Sequence, residues 1–263
     1  MSAPPDLITK VSQPVPNSFV QGGGSAREFL SRQTMRSTIF AFLIVCGSTP
    51  IAAQAPTSAA EFAGLARYRD ENARLSTPDS GRVVFVGNSI TEGWAPHFAT
   101  LFAGKPYIGR GISGQTTAQM LLRFRQDVIA LTPAAVVILA GTNDIAGNTG
   151  PATLEEIRDN IASMTDFARA NGIRVVLCSV LPVYDYPWKP GLEPAAKIIQ
   201  LNTWLKEYAG AHGAVYVDLH GAMQDERHGM KAEYTYDGVH ASEAGYRMMS
   251  ALVEQGIVAA LRD

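Results

Sequence analysis

Arg82-Val83-Val84-Phe85-Val86-Gly87-Asn88-Ser89-Ile90-Thr91 decides the reading of this chain, because an apolar run stops abruptly at a glycine and delivers a serine. Four consecutive apolar residues bounded by a glycine read as a buried strand. Asn88 and Ser89 then fall at the strand's C-terminal end, where open α/β sheets place their ligands, with Gly87 permitting a sharp exit. Ser89 is the candidate nucleophile. Gly, Asn and Ser after a strand are also ordinary loop residues, so the assignment needs support from elsewhere in the chain.

Apolar runs recur downstream. Lys105–Ile108 reads as a second strand, Ala134–Ala140 as a third, Ile173–Val180 as a fourth and Ala214–Leu219 as a fifth. Between them lie helical patterns. One runs from Thr91 toward Phe102; a second carries Met120, Leu121, Phe124, Val128 and Leu131 at helical spacing. The next opens with a capping box at Thr153-Leu154-Glu155-Glu156 and closes at Asn171-Gly172. Two more span Pro194–Tyr208 and the segment from Ser242 onward, and Ala59–Leu75 reads as one helix packed outside the sheet. Strands alternating with helices at this spacing specify an α/β fold with a parallel, doubly wound sheet of five strands.

The first 55 residues differ in character. Residues 1–34 hold four prolines and a Gly22-Gly23-Gly24 run without periodicity, which predicts no packed structure there, or a mis-called N-terminal extension with Met35 the true start. Arg36, the apolar stretch Ile39–Cys46 and Ala53-Gln54-Ala55 then form the three parts of a secretory signal peptide over 35–55. The apolar stretch is shorter than the roughly 18–20 residues a spanning helix needs. Export to the periplasm or medium is the expectation. Leu43-Ile44-Val45-Cys46 also suggests a lipoprotein anchor at Cys46, although Val45 is bulky where a small residue belongs. Residues 56–263 remain as a single domain, large enough for a good core, with net charge −4. A weakly acidic chain has no electrostatic reason to bind nucleic acid or anionic membrane. With Cys46 removed, Cys178 stands alone in an apolar strand, so neither a disulfide nor a thiolate metal site is expected.

Gly109-Arg110-Gly111-Ile112-Ser113-Gly114 matches a dinucleotide-binding loop. No acid about 20 residues on stands ready for a ribose, and the preceding strand is the second rather than the first, so this reading is set aside. Gly114 instead lets a backbone N–H approach a reacting oxygen, and Asn143, in Gly141-Thr142-Asn143-Asp144 after the third strand, can donate its amide to a developing oxyanion. Leu181–Gly191 is an aromatic, proline-rich loop in which Tyr184, Tyr186 and Trp188 can act as flat platforms for a sugar ring or an apolar group, or simply pack. Trp94 can line a pocket or simply pack.

A serine nucleophile needs a histidine base held by a carboxylate. Of the five histidines, His97, His212, His220, His228 and His240, three have a nearby aspartate: Asp218/His220, Asp225/His228 and Asp237/His240. Spacing does not choose among them. Position favours Asp237-Gly238-Val239-His240, just ahead of the long terminal helix.

Gly87-Asn88-Ser89-Ile90, Gly111-Ile112-Ser113-Gly114, Gly141-Thr142-Asn143-Asp144 and Asp237-Gly238-Val239-His240 together resemble the four blocks of the SGNH hydrolases, the GDSL esterases and lipases, in their order. The resemblance covers nearly all of residues 56–263. It implies a three-layer α/β/α sandwich of flavodoxin-like type, with Ser89, His240 and Asp237 as the catalytic triad. It further implies an oxyanion hole formed by the Ser89 and Gly114 N–H groups and the Asn143 side chain, and no metal or organic cofactor. Asn88 and Gln115 depart from the family's usual aspartates. Position 91 is Thr, where the elbow of an α/β-hydrolase requires Gly. The expectation is a serine esterase acting on short-chain esters, with O-acetyl groups on carbohydrate the substrate that suits export and the aromatic loop. The alternatives are a lysophospholipase or thioesterase acting on longer acyl chains, and a non-catalytic glycan-binding protein.

Overall fold

A computed structural model describes residues 58–75 and 79–262 of the chain. The extension, signal peptide and Cys46 anchor expected from the sequence lie outside these residues. The described elements run in chain order as α1 (Ala59–Phe62), α2 (Arg69–Arg74), β1 (Val83–Gly87), α3 (Ser89–Trp94), α4 (Phe98–Leu101), β2 (Tyr107–Gly111), α5 (Thr117–Asp127), β3 (Ala135–Leu139), α6 (Thr142–Ala146), α7 (Leu154–Ala170), β4 (Arg174–Cys178), α8 (Ala195–Ala211), β5 (Val215–Val217), α9 (Leu219–Met223) and α10 (Glu243–Ala260). The five strands form one parallel sheet in the order β2-β1-β3-β4-β5. β1 is flanked by β2 on one side and β3 on the other, so the chain reverses direction across the sheet at the β1/β3 boundary. That switch point opens a crevice at the strands' C-terminal ends.

Successive strand residues point to opposite faces, and the core divides accordingly. Val84, Val86, Val136, Ile138, Val175 and Leu177 pack against α5, α7 and α8. Val83, Phe85, Val137, Leu139, Val176 and Cys178 pack against α3, α4 and α10. The result is the expected three-layer sandwich. The Thr153 capping box forms, with Glu156 N–H donating to the Thr153 hydroxyl and Thr153 N–H to the Glu156 carboxylate. Ser242 caps α10 by accepting from Gly245 N–H.

Three local expectations are corrected. Ala59–Leu75 is two short helices rather than one, broken at Gly64, whose φ of 67° lies in the left-handed region. The carbonyls of Phe62, Ala63 and Leu65 turn toward the amides of Gln119, Gln115 and Gln126, so tertiary hydrogen bonds replace helical ones. The helix expected from Thr91 toward Phe102 starts at Ser89 and is interrupted by a 3₁₀ turn at Ala95–His97, where Pro96 offers no N–H. Finally, Gly109 and Gly111 belong to β2 rather than to a loop. A Cβ on Gly109 would stand 2.5 Å from the Ala95 Cβ, and one on Gly111 2.1 Å from the Glu92 backbone nitrogen. These glycines let the chain that follows Ser89 lie directly on the strand, and that is the physical content of the G-x-G pattern here.

Candidate active site

Ser89 is the first residue of α3, at the exit of β1. Asn88, almost fully buried, caps that helix through its side-chain oxygen, which accepts from Ile90 N–H at 3.0 Å. A neutral amide suffices for this, so its replacement of an aspartate leaves the nucleophile's seat intact.

Ser89 Oγ lies 2.9 Å from His240 Nε2, and His240 Nδ1 lies 2.6 Å from Asp237 Oδ2. The other Asp237 oxygen accepts from the backbone N–H groups of Val239 and His240, at 2.9 and 2.7 Å. Thr235 braces the turn, its hydroxyl donating to the His240 carbonyl at 2.7 Å and accepting from Gly238 N–H at 2.9 Å. Partial burial alone would raise the Asp237 pKa. The bonds from His240 and Val239 outweigh it and hold the carboxyl below its ordinary range. A carboxylate that stays ionised beside Nδ1 keeps that nitrogen protonated and leaves Nε2 as the acceptor facing the serine.

The two rival pairs have other work. Asp218 caps α9 by accepting from Gly221 N–H at 2.8 Å, and Asp225 closes its own turn by accepting from Arg227 and Gly229 N–H. His228 Nδ1 pairs with Gln224, and His220 is buried, which lowers its pKa. Of the three pairs, Asp237/His240 is the one joined to Ser89.

Gly114 sits on the loop between β2 and α5, and Asn143 on α6 after β3. Gly114 has φ 77° with open space where a Cβ would be, so glycine is required there for its conformation. Asn143, buried at the start of α6, donates one amide hydrogen to the Gln115 carbonyl at 2.9 Å. The loop is also tied to the nucleophile's side of the crevice. Ile112 N–H donates to the Gly87 carbonyl at 3.2 Å, and the Glu92 carboxylate, one turn after Ser89, accepts from both the N–H and the hydroxyl of Ser113. The next residue, Asp144, accepts from Thr117 N–H and hydroxyl, which links α6 to the start of α5.

The aromatic expectations divide. Trp94 and Tyr186 are fully buried and do not face the crevice. Trp94 packs edge-on to Phe85 and donates from Nε1 to Ser250, while the Tyr186 hydroxyl bonds both the hydroxyl and the carbonyl of Thr142. Trp188, 45% exposed, comes to the site, its ring centroid 6.2 Å from that of His240. Tyr184 is half exposed under the Arg227 guanidinium. Sequence reasoning missed Tyr236, whose ring stacks on the His240 imidazole at 5.7 Å with 10° between planes. Thr235 pairs with Ala241 across the tight turn, so Tyr236 and His240 stand opposite each other; the signal was its place next to Asp237. Among the described residues no group of three or more His, Cys, Asp or Glu side chains is placed to hold a metal ion.

The sequence profile of GDSL-like lipases and acylhydrolases matches residues 85–248, from within β1 to the first third of α10, and takes in Ser89, Gly114, Asn143, Asp237 and His240. The chain belongs to the GDSL-like lipase/acylhydrolase family. Among solved structures of the family, a GDSL-like lipase from Bacteroides thetaiotaomicron is 48% identical, with a TM-score of 0.74 over 76% of this chain and 100% of that one. Esterase TesA from Pseudomonas aeruginosa is 33% identical over 99 residues, which is 36% of this chain and 48% of TesA. An acetylxylan esterase from Xylanibacter ruminicola is 26% identical over 216 residues, 68% of this chain and 43% of that enzyme. The chain thus spans less than half the length of these two curated relatives.

Proposed function

We propose that this GDSL-family protein is a serine esterase that transfers the acyl group of a short-chain ester to water, with O-acetyl groups on carbohydrate as its substrate. The observation that carries this reading is the unbroken chain Ser89 Oγ, His240 imidazole, Asp237 carboxylate, with links of 2.9 and 2.6 Å. Ser89 attacks the ester carbonyl as His240 Nε2 takes its proton. The tetrahedral oxyanion is held by the Ser89 and Gly114 N–H groups and by the second amide hydrogen of Asn143. His240 then protonates the departing alcohol, and in the second step draws a proton from water to release the acid. Every proton passes through Nε2, so the ring's orientation by Asp237 matters in both halves.

Two things support a carbohydrate alcohol. Trp188 and Tyr236 are exposed aromatic residues whose rings both lie near His240, where the alcohol leaves, and flat rings of this kind stack on sugar rings. The resemblance to an acetylxylan esterase extends over 68% of this chain. Export by the segment at 35–55 would bring such an enzyme to extracellular polysaccharide.

The test is hydrolysis of p-nitrophenyl esters from acetate to palmitate, with Ser89→Ala as the control. Activity concentrated on acetate and abolished in Ser89→Ala is expected, and acetylated xylo-oligosaccharides are the next substrates. A rate that climbs with chain length would replace the carbohydrate assignment with a lysophospholipase or thioesterase. Absence of any Ser89-dependent hydrolysis would leave a glycan-binding protein.

A further inference from the structure

Behind the crevice lies a buried cation that the acyl-transfer steps do not use. Arg123 on α5 and Asp127 one turn later are both 0% exposed and pair at 3.1 Å. A buried pair of this kind is often no more stabilising than apolar residues of the same volume, so its presence calls for another account. The remaining two nitrogens of the guanidinium supply it. Nη2 donates to the Gly87 carbonyl at 2.9 Å, two residues before Ser89. Nε donates at 2.6 Å to the side-chain oxygen of Gln115, the neighbour of Gly114.

We propose that Arg123 is a positioning residue that sets the oxyanion loop at a fixed distance from the nucleophile, by bridging Gly87 and Gln115 with one rigid side chain. The inference rests on the esterase reading above. The guanidinium is planar and its donors stand in a fixed fork, so two acceptors held by it are held relative to each other. The Gly87 carbonyl is also where Ile112 N–H joins the loop to β1. At the other end Gln115 is itself clamped: its side-chain amide donates to the Ala63 carbonyl at 2.8 Å, and its backbone carbonyl accepts from Asn143. The Gln115 amide accepts from Arg123 and donates to Ala63 at once; the aspartate common in the family at this position, when ionised, only accepts and would lose the second bond. The direction of the Gly114 N–H is therefore governed by Arg123 through Gln115, without Arg123 touching substrate. Misplacement by about 1 Å of a group that acts in the transition state can cost about 10²-fold in rate.

The experiment compares wild type, Arg123→Lys, Gln115→Met and the double variant Arg123→Met/Asp127→Asn, which leaves no unpaired buried charge. Each is measured for Tm and for kcat and KM on p-nitrophenyl acetate, per active site counted with a fluorophosphonate. Expected is a fall in kcat of about 10- to 100-fold in Gln115→Met and in the double variant, with KM nearly unchanged and partial rescue in Arg123→Lys. Gln115→Met keeps the ion pair and the Gly87 bond, so it decides the matter should the double variant fail to fold. Folded variants with wild-type kcat per site, or with only KM altered, would overturn the positioning role while wild-type activity still depends on Ser89. A wild type whose hydrolysis survives Ser89→Ala would instead overturn the esterase reading, and the proposal with it.

Discussion

Asn143 carries two duties with one amide. One hydrogen holds the Gln115 carbonyl, and the other is the donor assigned to the oxyanion. In Asn143→Ala we expect kcat to fall by about 10²–10³ with KM little changed, since the lost bond strengthens only as charge develops. Steady-state kinetics on p-nitrophenyl acetate checks this, and an unaltered kcat would take Asn143 out of the site. Ser89 and Asn143 stood out in the sequence because each follows an apolar strand, and the pairing of His240 with Asp237, favoured by its place before the terminal helix and by the family resemblance, is the one that meets Ser89. The aromatic residues were not legible in this way. Tyr186 and Trp188 stand two residues apart on one loop, yet the first is buried on Thr142 and the second faces His240. Which ring turns inward is decided by the partner waiting for its polar tip, and that partner is distant in sequence. Tyr236 escaped notice for the converse reason: its ring is 72% exposed and belongs to the site only through stacking on His240.

The seating of α3 governs the site at the level of elements. The helix lies across the ends of β1 and β2, at positions where those strands carry Gly87 and Gly111. A Cβ on Gly87 would meet the Thr91 hydroxyl at 2.1 Å, and one on Gly111 would meet the Glu92 nitrogen at 2.1 Å and the Asn88 carbonyl at 2.7 Å. The Gly111 neighbours are backbone atoms on both sides of Ser89, so relief requires the helix itself to shift. Gly111→Ala is expected to cost about 3 kcal/mol or more of stability, at or beyond the upper end of ordinary overpacking. Gly210→Ala is the contrast: on α8 with nothing within 4 Å of the new Cβ, it should stabilise by about 0.5–1 kcal/mol. Urea unfolding of both variants measures the difference, and equal small effects would mean that α3 slides freely on the strand. The sequence showed β1 and β3 plainly as unbroken apolar runs, and β4 as an apolar run interrupted at Arg174. It concealed the end of β2, because glycines that permit close packing look the same in sequence as glycines that cradle a phosphate. It also concealed the break in Ala59–Leu75, whose carbonyls are taken by Gln119 and Gln126 on α5 and by Gln115 just ahead of it.

For the molecule as a whole, the strand order β2-β1-β3-β4-β5 places Ser89 and Asn143 on the two sides of one switch point, while α10 carries the turn that brings His240 over Ser89. The site thus draws on chain segments more than 150 positions apart, and its integrity depends on closure of the whole sheet rather than on any one loop. The family profile begins at residue 85, well after the segment that the sequence reads as an extension and a signal peptide. Deleting residues 1–55 should therefore leave kcat on p-nitrophenyl acetate unchanged and move Tm by less than about 2 °C, given that 1 kcal/mol shifts a domain of this size by roughly 2–4 °C. Differential scanning calorimetry of the two chain lengths, with kinetics on the same samples, is the check. A larger fall in Tm would show that residues ahead of position 56 help to hold the sheet closed. A loss of kcat at constant Tm would show that they reach the crevice between Ser89 and Asn143.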